Sequence, residues 1–188
     1  DASKLKEYVS KKRLMDLSKV NLDTKNIAKN ALALGKVDGK LYALITSVNT
    51  ETWIYNPDLL KQAGVSFPTK NYTWDDFANL MIQIHKKLPK VYGVTNGISD
   101  AFLLNYFART RGERMYSASG KSLAISKKTL TDWFAYWLNL QEKSGVPTAE
   151  FNASYNHDKL NENPFIKEKT AVTPIFIGEG IEFKTNLG

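Results

Sequence analysis

One stretch of the chain, residues 38–57 (DGKLYALITSVNTETWIYNP), changes character twice in quick succession. It opens with an Asp-Gly turn pair, and the short apolar run over 41–45 predicts a buried strand. Polar side chains then fill most of 46–52, before a second strand-like run over 53–55. A polar segment this short between two buried runs leaves no room for an ordinary surface loop. The pattern therefore predicts a crossing strand whose hydroxyls and amides line a site.

Composition places the chain among globular proteins. With 188 residues, 43% of them hydrophobic and 12% aromatic, it is long enough for one core and too apolar to be disordered. No apolar run reaches the roughly 20 residues of a membrane helix, and residues 1–20 lack the apolar stretch of a signal peptide. The absence of cysteine excludes disulfides, thiolate catalysis and zinc–thiolate sites.

The net charge of +7 raises the question of nucleic acid binding. Only four of the 26 basic residues are arginines, and the lysines are scattered along the whole chain. Because specific phosphate recognition favours arginine, this composition indicates a lysine-rich solvated surface and no nucleic acid partner. A basic interaction domain that binds nucleic acid stays as an alternative.

Start and stop signals predict several short helices. We expect one helix over 3–12 and another that is capped by Thr24 and ends at Gly35. A third helix should begin at Asn56-Pro57 and end at Gly64, where a left-handed cap is expected. Thr73 opens Thr-Trp-Asp-Asp, which predicts a capping box at the start of a fourth helix.

Apolar stripes at helical spacing predict three longer helices. Their stripes are Phe77, Leu80, Met81, Ile84 and Leu88; Phe102, Leu103, Tyr106 and Phe107; and, behind an N-cap at Ser126, Leu130, Trp133, Phe134, Trp137 and Leu138. Strands are predicted over 91–94 and 171–177, a small hairpin over 116–125, and irregular structure over the polar segment 150–163. Strands that alternate with helices indicate an α/β layered architecture, and about four strands suggest part of a larger fold.

Five segments in order carry a resemblance to a known family. They are LKEYVSKKRLMDL over 5–17, GKLYAL through IYNPDLLKQAG over 39–64, TWDDF over 73–77, RGE over 111–113 with Gly120, and FIKEKTAVT over 165–173. Together they resemble the extracellular solute-binding proteins of ABC importers, the group that includes maltose-binding protein. Two positions differ from the family pattern: Glu168 replaces a small residue, and the tryptophan that many sugar-binding members carry after Thr173 is absent.

The resemblance implies an α/β fold: a periplasmic-binding-protein-like (class II) lobe with helices packed on a small mixed sheet, in an incomplete two-lobe architecture. It implies that residues 1–45 are a remnant of an N-terminal lobe leading to a hinge crossing. Residues 46–173 would form the C-terminal α/β lobe, and 174–188 would lie near a second hinge crossing.

The implied function is solute binding, without catalysis, cofactor or metal. The ligand, a small molecule and by resemblance a sugar, would lie in an interlobe cleft and pass to the membrane subunits of an ABC permease. The implied location is extracellular, as a cell-surface lipoprotein, or periplasmic, with a monomeric protein and no signal sequence in this chain. Since this chain would supply half of the cleft, we expect weak or undetectable binding of sugar by the chain on its own.

Nine residues are candidate ligand contacts. Ser47, Asn49, Thr50 and Glu51 lie on the polar crossing segment, and their hydroxyl, amide and carboxylate groups suit a polar ligand; the alternative is that they bond to local backbone. The resemblance adds five residues near two later elements: Asp100, Phe102, Phe176, Gly178 and Glu179. An aspartate can bind sugar hydroxyls, and a ring can stack on a sugar face. Phe102 also belongs to an apolar stripe, and the stripe favours a core role for it.

Other patterns compete with a binding function. Arg109, Arg111 and Arg114 could bind an anionic ligand, although solvated ion pairs with Glu113 are the more ordinary role. The pair Asp75-Asp76 is the only hint of a glycan-acting hydrolase. Adjacent helix positions point apart, so capping of the helix dipole explains this pair better. His85 and His157 have no partner at metal-ligand spacing.

Overall fold

The computed structural model describes residues 4–155 and 159–187. These residues form two compact units, Asp1–Thr50 and Glu51–Gly188. Within the described part of the chain, no helix is both long and apolar enough to cross a membrane.

The first unit is built from short elements. They are α1 (Leu5–Ser10), a 3₁₀ turn (Leu17–Lys19), α2 (Lys29–Leu34), β1 (Lys36–Val37) and β2 (Lys40–Leu41). Asp16 caps the 3₁₀ turn, because its carboxylate accepts a hydrogen bond from the Ser18 N–H at 3.0 Å. The start predicted for the second helix is wrong. Thr24 closes a local turn with Ile27, and α2 begins only at Lys29. None of its residues is buried, so little favours its extension.

A tight hairpin replaces most of the strand predicted over 41–45. Asp38 and Gly39 both have positive φ, at 49° and 78°, as a two-residue hairpin turn requires. Pairing ends after Leu41, because the N–H groups of Tyr42 and Ala43 both donate to the Gly35 carbonyl. A β-carbon on Gly35 would lie 1.9 Å from the Ala43 carbonyl oxygen, so this approach requires glycine.

The second unit has a three-stranded sheet with helices around it. Its elements are β3 (Glu51–Tyr55), α3 (Pro57–Ala63), α4 (Trp74–Lys87), β4 (Tyr92–Val94), α5 (Ala101–Thr110), α6 (Lys127–Glu142), α7 (Ala149–Ala153), a 3₁₀ turn (Leu160–Glu162), β5 (Thr170–Phe176), a 3₁₀ turn (Ile177–Glu179) and α8 (Gly180–Leu187). The strand order is β3-β5-β4, with β5 antiparallel to β3 and parallel to β4. The expected small mixed sheet is therefore confirmed, and β5 runs across residue 173, where a domain boundary was predicted.

Apolar side chains cover the sheet from two directions. One cluster joins the sheet to α3, α4, α5 and α6, and Trp53 of β3 stacks on Phe77 of α4 with centroids 4.6 Å apart. The other is smaller and joins Phe165, Ile175 of β5 and Phe183 of α8, with Ile54 of β3 packed against it. Alternating strand residues thus reach both clusters, as in a sheet covered on both faces.

The caps predicted for α3 and α4 are confirmed. Asn56 accepts hydrogen bonds from Asp58 N–H and Leu59 N–H, and Gly64 ends α3 with a left-handed φ of 67°. Thr73 and Asp76 form the reciprocal capping box of α4. Each cap satisfies N–H groups that a helix leaves without an internal partner, which explains why these elements begin where the sequence predicts.

The apolar face of α6 is narrower than predicted. Trp133 and Trp137 are buried as expected, but Phe134 and Leu138 are about half exposed. The buried row continues through Thr129 and Leu140 instead. The two tryptophans fill the space against the sheet, so the next row of the helix faces solvent.

Pro174 lies in the central strand β5 without breaking it. Asn56 N–H donates to the Ala171 carbonyl, and the alternation of an antiparallel ladder then turns the Pro174 nitrogen away from β3. On that side β4 has already ended at Val94. Pro174 therefore takes no ladder hydrogen bond away from β3, and it lies where the sheet opens into a groove.

Glu168 has a φ of 54°, in the left-handed region that favours glycine. This geometry explains why a small residue suits the position. We expect Glu168→Gly to raise the free energy of unfolding by about 0.5–1 kcal/mol, because it relieves backbone strain. Thermal and urea unfolding, monitored by circular dichroism, measure the change.

The matched control is Lys167→Gly, at the exposed neighbouring residue that has no positive φ. It should lower stability by about 0.5–1 kcal/mol, since glycine loses more backbone entropy on folding. Equal destabilisation by both substitutions would contradict the strain at Glu168.

Candidate ligand-binding site

A polar groove of about 820 Å³ opens in the second unit where β4 ends and β5 continues. Its lining comes from the loop before α5, from α7, from β5 and from the segments around residues 160 and 180. The lining residues are Thr95, Asn96, Gly97, Ser99, Asp100, Asn152, Ala153, Leu160, Asn163, Thr173, Pro174, Ile175, Glu179, Glu182 and Phe183. A volume of this size accommodates a small organic ligand.

The loop after β4 is tied to the central strand. Thr95 N–H donates to the Val172 carbonyl at 3.2 Å, and the Thr95 and Thr173 hydroxyls are 3.1 Å apart. Asn96 donates through Nδ2 to the Pro147 carbonyl and accepts from Ile98 N–H. These contacts fix the loop backbone where it enters the groove.

Two tryptophans of α6 contact the same loop. Trp133 Nε1–H donates to the Ile98 carbonyl at 2.9 Å. A β-carbon on Gly97 would lie 2.7 Å from Leu103 Cδ1 and 2.9 Å from the Trp137 ring. Gly97 therefore lets the loop pack directly on the buried aromatic core. This contact fixes the position of the loop that lines the groove.

Asp100 turns the loop into α5. Its Oδ1 accepts hydrogen bonds from Phe102 N–H at 2.8 Å and Leu103 N–H at 3.1 Å, so it caps the helix. Phe102 follows on the outer side of the helix. It is 53% exposed, which makes the expected core role wrong. Its ring meets the Phe176 ring edge to face, with centroids 5.1 Å apart.

Three carboxyl groups interact around the start of β3. Burial, and then the charge of Asp100 and a hydrogen bond to its side chain, raise the pKa of Glu51 to about 7; the charge of Glu179 adds to this. Glu51 Oε2 is buried and has no hydrogen-bond partner among the described residues. Near neutral pH, Glu51 therefore exchanges between a charged and a neutral form.

Glu179 stands at the other end of this group. Its Oε2 accepts a hydrogen bond from Phe176 N–H at 3.0 Å, which fixes the turn after β5. Glu182, one turn further, also lines the groove. The groove therefore carries several carboxyl groups on a chain whose net charge is +7.

The structure brings six of the nine predicted site residues together. Glu51 interacts with both Asp100 and Glu179, and the rings of Phe102 and Phe176 touch. Gly178 belongs to the 3₁₀ turn between Phe176 and Glu179. Whether any of these residues contacts a ligand stays a prediction.

The remaining three predicted residues belong to the first unit. Ser47, Asn49 and Thr50 are exposed and lie in an irregular segment that immediately precedes Glu51 in the chain. Their role as ligand contacts also stays a prediction.

Several lining residues were missed by sequence reasoning, although one signal pointed to them. Asn96-Gly97 follows a strand, and ligands of open α/β sheets bind beyond the carboxyl ends of strands. Asn152 and Asn163 lie in the segment that composition marked only as polar and irregular. Thr173 lies in a strand, where no sequence signal separates it from a core residue.

The other sites considered from the sequence were a carboxylate pair at Asp75-Asp76 and a histidine metal site, and the described residues form neither. Asp76 is the capping-box residue of α4, and hydrogen bonds from Thr73 lower its pKa. In residues 4–155 and 159–187, no three His, Cys, Asp or Glu side chains could hold a metal ion together. His157 lies outside the described residues.

The raised pKa of Glu51 predicts a pH-dependent stability. The folded chain holds the Glu51 proton between about pH 4.5 and 7, so its stabilising effect is lost as the pH rises through about 7. Glu51→Gln mimics the protonated form. Its free energy of unfolding should match that of the wild type at pH 5 and exceed it at pH 8, by on the order of 1 kcal/mol after solvent screening. Urea unfolding at both pH values measures the difference.

Glu142→Gln is the matched control, because Glu142 is an exposed glutamate at the end of α6. It should leave the pH dependence unchanged. A pH dependence that persists in Glu51→Gln would show that another group is responsible.

Comparison with known proteins identifies the family. Residues 1–180 match the family described as bacterial extracellular solute-binding protein. A curated relative, the arabinooligosaccharide-binding protein of Bacillus subtilis (strain 168), is 32% identical over 129 residues. The match covers 68% of this chain and 29% of that protein, so the chain spans much less than the length of this relative.

Solved structures share the fold. An oligogalacturonide-binding protein from Yersinia enterocolitica, in complex with saturated digalacturonic acid, has a TM-score of 0.80 at 19% identity; 100% of this chain and 48% of that chain are covered. An ABC substrate-binding protein from Listeria monocytogenes, in complex with cycloalternan, has a TM-score of 0.75 at 20% identity, covering 97% and 52%. With a matching family over nearly its whole length and this α/β fold, the chain belongs to the bacterial extracellular solute-binding proteins.

Proposed function

We propose that this chain is part of a solute-binding component of an ABC transport system and that its groove holds a carbohydrate. The observation that carries the proposal is the combination of carboxylate and amide groups in the groove with a ring pair beside it, the exposed Phe102 and the half-buried Phe176, which follow the lining residues Asp100 and Ile175 closely in the chain. Carboxylates and amides bind hydroxyl groups, and an aromatic face packs on the apolar face of a sugar ring.

The charge of the groove favours a neutral sugar. Asp100, Glu179 and Glu182 line it, and an acidic ligand next to them would meet like charges. The Bacillus subtilis relative is named for arabino-oligosaccharides, which are neutral. We therefore propose neutral oligosaccharides as the ligand class in the groove itself.

The proposed mechanism is capture and delivery without catalysis. The ligand would lie between two lobes that close around it, and the closed form would present it to the permease membrane subunits. Residues 1–45 would belong to the N-terminal lobe, residues 46–173 would form the C-terminal lobe, and 174–188 would lead towards a second crossing. Ser47, Asn49 and Thr50 would offer further contacts. An extracellular or periplasmic monomer, in some hosts anchored as a lipoprotein, fits this role.

The carboxyl geometry argues against a glycan hydrolase. Asp100 Oδ1 is held by the N–H groups of Phe102 and Leu103, and the Asp100 carboxyl lies close enough to Glu51 to raise its pKa. A pair of catalytic carboxyl groups needs a separation of about 5 Å or more to act on opposite sides of a glycosidic bond. We expect no hydrolysis of neutral arabino- or malto-oligosaccharides by this chain. Release of reducing sugar, measured over a substrate panel, is the test.

Asp100→Asn separates the charge of Asp100 from its structural role. Asparagine is as good an N-cap as aspartate, so α5 should remain intact while the carboxylate is lost. We expect weak, roughly millimolar binding of arabinotriose to the wild-type chain, and about tenfold weaker binding to Asp100→Asn, because charge-assisted hydrogen bonds are lost. Chemical-shift titration by NMR measures both affinities.

The control is Asp58→Asn, which changes an exposed first-turn aspartate of α3 away from the groove. Its affinity should equal that of the wild type. Shifts that cluster outside the groove, or none at saturating sugar, would overturn the proposed site.

The ring contact makes a separate prediction. Phe102→Ala should weaken arabinotriose binding by about three- to tenfold, because stacking on the sugar is lost. Phe134→Ala removes a phenylalanine of similar exposure on α6 and should not alter the affinity. The same NMR titration compares the two variants, and equal losses would count against stacking at Phe102.

A further inference from the structure

A second pocket in this unit has the opposite chemistry from the groove. It has a volume of about 350 Å³ and is lined by Asn105 and Arg109 of α5 and by Arg114, Met115 and Tyr116 of the following segment. We call it the Arg109–Arg114 pocket. Two guanidinium groups, an amide and a phenol supply its donors, and none of the described carboxylates lines it.

The neighbouring acidic groups are already engaged elsewhere. Glu113 was expected to pair with these arginines, but its carboxylate accepts hydrogen bonds from Ser126 N–H, the Ser126 hydroxyl and the Thr129 hydroxyl. It supports the start of α6 instead. Asp132 lies 2.7 Å from Lys128 Nζ and 3.9 Å from Arg111 Nε.

Arg111 is also engaged, whereas the two pocket arginines form no ion pair with any residue that the structure describes. The Arg111 guanidinium lies 3.6 Å from the centroid of the Phe107 ring, in addition to its contact with Asp132. Among the described residues, Arg109 and Arg114 form no ion pair. Their charges are therefore available to an oxyanion from outside the chain.

We propose that the Arg109–Arg114 pocket is an oxyanion-binding subsite for a carboxylate, phosphate or sulfate group. Guanidinium groups bind such oxyanions through paired hydrogen bonds, and two of them flanking one pocket hold a ligand group in a defined orientation. Asn105 and Arg109 lie four residues apart on α5 and share one helix face, so both reach the pocket.

Helix α5 leads from the groove to the pocket, because Asp100, which lines the groove, caps its start and Arg109, which lines the pocket, lies in its last turn. Phe102, Asn105 and Arg109 follow at helical spacing on α5, and Phe102 and Arg109 are about 10 Å apart along the helix axis. Resting on the proposed function, the subsite would receive an anionic substituent of a glycan whose neutral part occupies the groove. The carboxylates of the groove repel that substituent, and the arginines attract it, so the charge pattern fixes the direction in which the ligand lies.

The subsite can be tested without any sugar. Sodium sulfate and sodium phosphate are titrated against sodium chloride at constant ionic strength, and the arginine Nε–Hε signals are followed by NMR. Arg109 and Arg114 should show saturable shifts with the oxyanions, while exposed Arg13 should not. Arg109→Gln and Arg114→Gln should each weaken the response at least about tenfold, and Arg13→Gln should leave it unchanged. Linear shifts of equal size at every arginine would overturn the proposal.

A second experiment tests whether the subsite receives an anionic group of a glycan. A neutral trisaccharide is compared with the same trisaccharide carrying one terminal uronate, and with free glucuronate. The wild type should bind the uronate-bearing form more tightly than Arg109→Gln does, while both bind the neutral form alike. Equal affinity of the wild type for both trisaccharides would overturn the extension, whatever the sulfate result. Failure of all sugars to bind, with sulfate still saturating, would overturn the proposed function and leave the subsite standing.

Discussion

The second unit depends on the hydrogen bonding of β5 along both of its edges. β3 pairs with it on one side over five residues, and β4 pairs with it on the other side until Val94. Because β4 stops first, the far end of β5 lacks a neighbour on that edge, and the proline there has no N–H to leave unpaired. The groove is the space left by this unequal strand length, so the sheet register decides where a ligand site forms.

The aromatic core transmits that geometry to the groove wall. Trp133 donates to the loop that carries Asp100, and the Trp137 ring packs directly on the backbone of Gly97. Because a packed interior resists compression, these contacts fix the position of the loop. They also fix the position of Asp100, the N-cap of α5. The same helix α5 then presents a carboxylate at its start and an arginine near its end. Two opposite charge environments thus lie at the two ends of one rigid element.

Local chemistry was predictable because its causes are local. The caps at Asn56, Thr73 and Ser126 depend only on residues within a turn, and each is confirmed. The apolar run after the Asp-Gly turn failed as a strand because strand formation needs a partner, and the two-residue strand β1 supplies none beyond Leu41. Phe102 was misjudged for a related reason: periodicity shows that a residue lies on a stripe, but not how far the core extends under it.

The sequence by itself determined the α/β class, the main helices with most of their caps, the family resemblance and two residues of the groove, Asp100 and Glu179, because these follow from periodicity, capping and residue chemistry. Tertiary structure decided three further features. It placed Glu51, Asp100 and Glu179 within one electrostatic neighbourhood, which raises the pKa of Glu51. It assigned Glu113 to α6 and so left Arg109 and Arg114 without an ion pair in the described chain. Both depend on distances between residues far apart in sequence, which no local pattern encodes. The third feature is the groove, which forms because β5 extends beyond the end of β4.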